Sequence, residues 1–149
     1  MPYISLQISP HGLVCDALVG ITPARLKALT AAKKEPPKRV SIRALIDTGA
    51  SCTCIDPKVA ERLDLDITGR SPMNTASTGD TPVEANQYDV SLLIPHTSPD
   101  EYAFYLPTIP VAEMELLGPL AIHVLIGRDV LDRCLLIYDG KSQQFTISY

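Results

Sequence analysis

A chain of 149 residues with 46% hydrophobic content is long enough to bury a core and short enough to form one folding unit. Its formal charge of -4 and pI near 5.3 exclude the basic footprint that nucleic-acid binding requires, because the cations of KKEPPKR are too few and too interrupted to supply it. The opening stretch MPYISLQISPHGLVCDALVG has no basic start followed by an unbroken apolar block, and no run reaches the length of a membrane span, so a cytoplasmic protein without membrane contact is expected.

In chain order, YISLQI alternates with Ile4, Leu6 and Ile8 on one face, and PHG turns it into a second apolar run, LVCDALVGI. That predicts an N-terminal hairpin. Thr22 before Pro23 reads as a helix cap, with Leu26 and Leu29 sharing a face until the solvated linker KKEPPKR. The strand VSIRALI follows, with Val40, Ile42, Ala44 and Ile46 on one side, and ends at Asp47. Asp56 and Pro57 repeat the cap signal, and Val59 with Leu63 gives a short apolar helical face. VEANQYDVSLLI resumes alternation through Tyr88, Val90, Leu92 and Ile94, and the last stretch turns at Asp139 and Gly140 before Phe145, Ile147 and Tyr149. The expectation is a mainly β protein with two or three short helices.

Cys15, Cys52, Cys54 and Cys134 make no CxxC pair and stand near no His at metal spacing, so neither a metal site, a cofactor nor a disulfide framework is expected. Buried free thiols are the leading reading, with redox control at Cys52 and Cys54 as the alternative.

The stretch RALIDTGASCTCI places one carboxylate at the tip of a strongly apolar strand, where desolvation is costly unless hydrogen bonds or a function compensate. By itself the triplet fits an Asx-type turn, with Gly49 allowing a backbone conformation that a β-branched residue resists. Yet ALIDTGAS resembles the active-site signature of aspartic proteases, and VLIGRDVL, residues 124 to 131, resembles the apolar–Gly–x–Asp/Asn–x–Leu element that follows it in retroviral-type proteases. Two ordered matches are more specific than either alone. The chain therefore resembles a retropepsin-like aspartic protease of the cellular or bacterial kind, over roughly residues 40 to 149.

The resemblance implies a closed psi-loop β-barrel, one lobe per chain, with residues 1–39 as a hairpin and helix extension packed on a protease domain of residues 40–149. It implies that Asp47 is catalytic and that Thr48, Gly49, Ala50 and Ser51 form its loop. Ile126, Gly127, Arg128 and Asp129 would be a structural second motif, with Asp129 capping a short helix or pairing with Arg128 or a neighbouring chain. MNTASTGDTPVEA lies where the family places its flap, with Ser77, Thr78, Gly79 and Asp80 at the tip and Pro82 stiffening one arm. Since this chemistry needs two carboxylates facing one water and the chain carries one DTG, the resemblance implies a homodimer in which two Asp47 side chains meet, acting on a peptide or protein substrate. QQFTISY is a possible interface strand, and the Pro-rich stretch PHTSPDEYAFYLPTIPVAEMELLGPL departs from the shorter retroviral enzymes. Three functions stay distinct: an aspartic endopeptidase, a catalytically silent dimerisation or peptide-binding module on the same fold, and an unrelated all-β domain with an accidental motif.

Overall fold

A computed structural model of the chain describes residues 1–75 and 78–149. Among these run β1 (Tyr3–Gln7), β2 (Val14–Gly20), α1 (Pro23–Ala31), β3 (Val40–Ile46), β4 (Cys54–Ile55), α2 (Pro57–Arg62) and β5 (Gly69–Met73). After them come β6 (Val83–Ile94), β7 (Phe104–Glu113), α3 (Leu117–Leu120), β8 (Val124–Ile126), α4 (Arg128–Leu131), β9 (Leu135–Asp139) and β10 (Gln144–Ser148).

Side-chain alternation sets which face of each strand is inside. In β3, Val40, Ile42, Ala44 and Ile46 are all buried, as a period of two requires. Hydrogen-bonded neighbours run β2, β3, β8, β4, β7, β6, and β6 returns to β2 through Leu18↔Leu93, Val19↔Leu92 and Gly20↔Ser91. Six strands thus close a barrel, which removes the free edges of an open sheet. β5 pairs outside this ring, as an antiparallel hairpin with the first half of β6. A second sheet, ordered β1, β10, β9, sends Ile4, Phe145 and Ile147 into the same core as Val19, Ile42, Val90 and Val124. Each such side chain stabilises by about 1.5–3 kcal/mol when buried, and that holds sheet and barrel together.

The mainly β, closed-barrel architecture follows the expectation, while several local readings are corrected. β1 and β2 do not form the expected hairpin. The chain does turn at Ser9 and Gly12, but the strands diverge: β1 pairs with β10, laying Ile4 against Ile147 and Leu6 against Phe145, and β2 goes to β3 and β6. β10 lies between β1 and β9, so both its edges are taken and it is not free to be an interface strand. In α1 no residue is buried, contrary to the apolar face read from Leu26 and Leu29. The helix is held instead by its Thr22 cap and by Arg25, which reaches the Asp64 carbonyl and the Asp66 carboxylate at 3.4 Å. Among the described residues the helices number four, because α3 and α4 are single turns of four residues, too short to leave a periodic signal. The Pro-rich stretch contains a ten-residue strand, β7, whose Pro107 falls where the register against β6 slips between Val90 and Leu92; at a bulge its missing N–H costs no ladder bond.

Candidate active site

β3 and β8 run parallel and side by side, pairing Ala44↔Val124, Leu45↔Leu125 and Ile46↔Ile126. Their ends therefore deliver two loops next to each other: Asp47 follows Ile46, and Gly127 follows Ile126. The Asp47 N–H donates to the Ile126 carbonyl at 2.9 Å, which fixes the acid to the neighbouring strand. The loop then turns back, with the Gly49 N–H donating to Asp47 Oδ1 at 2.8 Å and the Ala50 N–H to the Asp47 carbonyl at 3.2 Å. This is the Asx geometry. It occupies Oδ1, whereas among the described residues no hydrogen bond is made to Oδ2, and the side chain is half-buried. Gly49 has no positive φ, so its expected conformational role is corrected. What it supplies is space: a Cβ there would stand 3.0 Å from Asp47 Oδ1.

The second motif grips this loop from behind. The Arg128 N–H donates to the Ala50 carbonyl and its guanidinium Nη1 to the Thr48 carbonyl, both at 2.9 Å. Gly127 lies so close to the loop that an added Cβ would meet the Cys52 backbone at 2.6 Å. Asp129 turns inward. Its carboxylate accepts from the Thr53 N–H at 2.9 Å, the Thr53 hydroxyl at 2.7 Å and the Val130 N–H at 2.9 Å, and it makes no ion pair with Arg128 among the described residues. The Thr53 hydroxyl in turn accepts from the Gly127 N–H at 3.1 Å.

A family model described as aspartyl protease matches residues 34–130, about two-thirds of the chain, including both loops. The chain belongs to the aspartyl protease family. Its structure is similar to that of a retropepsin-like aspartic protease from Rickettsia conorii, with a TM-score of 0.60 at 19% identity over 99% of this chain and 91% of that one. It also matches the retroviral protease-like domain of Ddi1 from Leishmania major, with a TM-score of 0.43 at 17% identity, covering 90% and 87% of the two chains. No curated protein matches the sequence. The fold is retropepsin-like.

Within this aspartyl protease fold, the residue that sequence reasoning missed is Thr53. It is 0% exposed and joins the two motifs, yet between two cysteines it reads as ordinary strand composition. Thr48, Gly49 and Ser51 are exposed and Ala50 is half-buried, so the loop presents a largely open face beside Asp47. Behind that face Ala50 and Cys52 pack with Met73, Ala85 and Met114 on a small apolar cluster centred on Cys54, Leu116 and Leu125. The Asp47 loop and the base of the β5–β6 hairpin thus share one support. A cavity of about 310 Å³ opens beside that base, lined by Met73, Val83, Ala85 and Met114 together with Thr75, Thr78, Pro57 and three glutamates. One of them, Glu113, accepts hydrogen bonds from the Tyr88 hydroxyl and from Asn86.

Of the expected flap residues, Ser77 lies outside the described residues. Thr78 accepts from the Thr75 N–H at 2.8 Å and donates its own N–H to the Thr75 carbonyl at 3.0 Å. Gly79 has φ of +58° with open space around it, and Asp80 is exposed. The cysteines are free thiols. Burial, reinforced by Cys52 and then by Asp129 and Asp47, pushes Cys54 up to about 12, which keeps it protonated and unreactive. No group of three His, Cys, Asp or Glu side chains is arranged for a metal ion, and no helix is long and apolar enough to cross a membrane, among the described residues.

Proposed function

We propose that the chain is an aspartic endopeptidase whose catalytic centre forms when Asp47 of one copy meets Asp47 of a second. The observation that carries this reading is the division of labour between the two loops: Asp47 keeps one carboxylate oxygen uncommitted at the open face, while Asp129 spends both of its oxygens on Thr53 and Val130. One chain therefore offers one acid for chemistry, and a two-fold related copy is the natural source of the second.

With one carboxylate ionised and its neighbour protonated, the ionised group removes a proton from a water held between them, and the protonated group hydrogen-bonds the scissile carbonyl oxygen and gives it a proton. The water oxygen bonds to the carbonyl carbon, leaving a tetrahedral diol. As the C–N bond breaks, the amine takes a proton from the carboxyl that received it from the water, and a diol hydroxyl returns a proton to the other carboxylate. Thr48 steadies the loop across the axis, and Gly49 lets a substrate backbone approach. The β5–β6 hairpin acts as a flap, closing over an extended peptide that pairs with it as an added strand, Gly79 forming the yielding tip.

The test is cleavage of a peptide library by the purified protein, with and without a peptide mimic carrying a hydroxyl in place of the scissile carbonyl. Cleavage should be blocked by the mimic, which resembles the tetrahedral state, and should be unaffected by a metal chelator. Absence of cleavage at every pH from acid to neutral, in protein that binds the mimic, would favour the silent peptide-binding module instead.

A further inference from the structure

Thr53, which links the two motifs, stands between two cysteines. Cys54 is buried and Cys52 half-buried, and both pack on the small apolar cluster behind the Asp47 loop. Cys54 opens β4 and Cys52 lies two residues before it, a spacing that puts side chains of an extended chain on one side. The two thiols accordingly meet: burial is the largest cause that raises Cys54, and charge repulsion and a hydrogen bond from Cys52 come next. The Cys54 thiol also donates to the Cys52 carbonyl at 3.8 Å. The other two thiols differ, since burial and then Asp16 raise Cys15, burial raises Cys134, and no second thiol acts on either among the described residues.

Both ends of this short segment are held. Cys54 is paired on its two sides with Ala112 of β7 and Leu125 of β8, and an added Cβ on Gly127 would meet the Cys52 backbone at 2.6 Å. Between them the Thr53 N–H and hydroxyl reach the Asp129 carboxylate, and the hydroxyl accepts the Gly127 N–H. Two residues of extended chain span up to about 7 Å, whereas a disulfide usually sets its Cα atoms about 4.4–6.8 Å apart. Drawing the thiols into a bond therefore pulls the segment tight, and the adjustment falls on Thr53.

We infer that Cys52 and Cys54 are an oxidisable thiol pair that closes to a disulfide with hydrogen peroxide and, by turning Thr53 away from Asp129 and Gly127, unlocks the Asp47 loop. The thiolate form of Cys52, the more exposed of the two, bonds to one peroxide oxygen as the O–O bond breaks. Two electrons pass from sulfur to the departing oxygen, which takes a proton and leaves as water. The sulfenic acid so formed is uncharged, so the repulsion from Cys52 that helps to keep Cys54 protonated is lifted. The Cys54 sulfur then bonds to the Cys52 sulfur, the S–O bond breaks, and hydroxide leaves as water with the Cys54 proton. A dithiol reductant reverses the reaction. That closure would switch off peptide cleavage rests on the shared-site reading; formation of the disulfide and release of Thr53 do not.

The test treats the full chain with hydrogen peroxide and follows peptide mass, amide hydrogen exchange and peptide cleavage on the same samples. The peptide carrying residues 52–54 should lose two hydrogens while Cys15 and Cys134 stay thiols. The Thr53 and Gly127 amides should exchange about tenfold faster or more, cleavage should fall about tenfold or more, and dithiothreitol should restore all three. Cys52→Ser, and Cys54→Ala with folding checked by thermal melts, should each cleave as the wild type does when reduced and lose the dithiothreitol-reversible response. Cys52 oxidised beyond the sulfenic acid with Cys54 still a thiol overturns the pair. A disulfide that leaves exchange at Thr53 and Gly127 or cleavage unchanged, or the same reversible loss in either variant, overturns the switch. A reduced wild type that cleaves no peptide, while its disulfide forms and both amides speed up, overturns the shared site and leaves the thiol pair standing.

Discussion

Asp47 and Asp129 illustrate how the oxygens of a carboxylate reveal its task. Asp129 holds Thr53 and the start of α4, whereas Asp47 is held by others and keeps Oδ2 uncommitted among the described residues. Asp47→Asn preserves the acceptor for the Gly49 N–H, so the fold should survive, while the group that takes a proton from water in the proposed mechanism is gone. Turnover should fall by about 10⁴-fold or more, and a cleavage assay with matched thermal melts checks both halves of that expectation. Thr53→Val keeps the shape and removes the hydroxyl that serves both Asp129 and Gly127. Leaving a part-buried acceptor and a buried N–H short of a partner should cost about 1–3 kcal/mol in urea denaturation and lower activity through a loosened loop. The sequence made Asp47 legible because an acid after an apolar strand is conspicuous. Thr53 was not, because its importance lies in a bond to a residue 76 positions away.

At the scale of elements, α2 and α3 meet at Asp56. Sequence alone marks it as a cap, and its Oδ1 does accept the Lys58 N–H at 3.0 Å; its Oδ2 further accepts the Leu116 and Leu117 N–H groups, both at 2.9 Å. Burial works to raise this acid, but the three backbone donors prevail and hold it below the ordinary carboxylate range. Its stabilisation is therefore full above the unfolded value of about 3.9 and disappears as pH falls through the lower folded value. Asp56→Ala should lose about 2–3 kcal/mol at neutral pH and show a flatter stability profile below about pH 4, as seen in denaturation series across pH. In the β5–β6 hairpin, Gly79→Val forces a β-branched residue into positive φ at the tip. With no atoms near its Cβ, folding and assembly should be little affected, and kcat/KM should drop by about tenfold if the tip closes over peptide. Unchanged kinetics would place closure elsewhere. Strands with clean alternation, such as β3 and β6, were readable before any coordinates. β7 was not, because Pro107 and Pro110 mimic a loop until Pro107 is seen at a bulge and Pro110 in register with Asp89.

At the scale of the whole molecule, ring closure and strand order were beyond local reading. The hydrophobic pattern says that β1 needs an apolar partner, and both β2 and β10 satisfy that equally on paper. Only the barrel's claim on β2 decides it. A shared catalytic centre makes activity a property of assembly, so specific activity should fall on dilution through the dissociation constant, and excess Asp47→Asn chain should poison the wild type by forming mixed pairs. A bell-shaped rate against pH should accompany this, since one acid must be charged while the other is not. Activity independent of concentration in a demonstrated monomer would refute it.

The pairing of β1 with β10 also bears on when the fold is completed during synthesis. During synthesis the barrel strands β2 to β8 emerge before residues 144–148, so β1 waits unpartnered and β9 has no neighbour to flatten it into an edge until β10 arrives. A nascent chain can thus close its barrel while the β1–β10–β9 sheet still awaits its central strand.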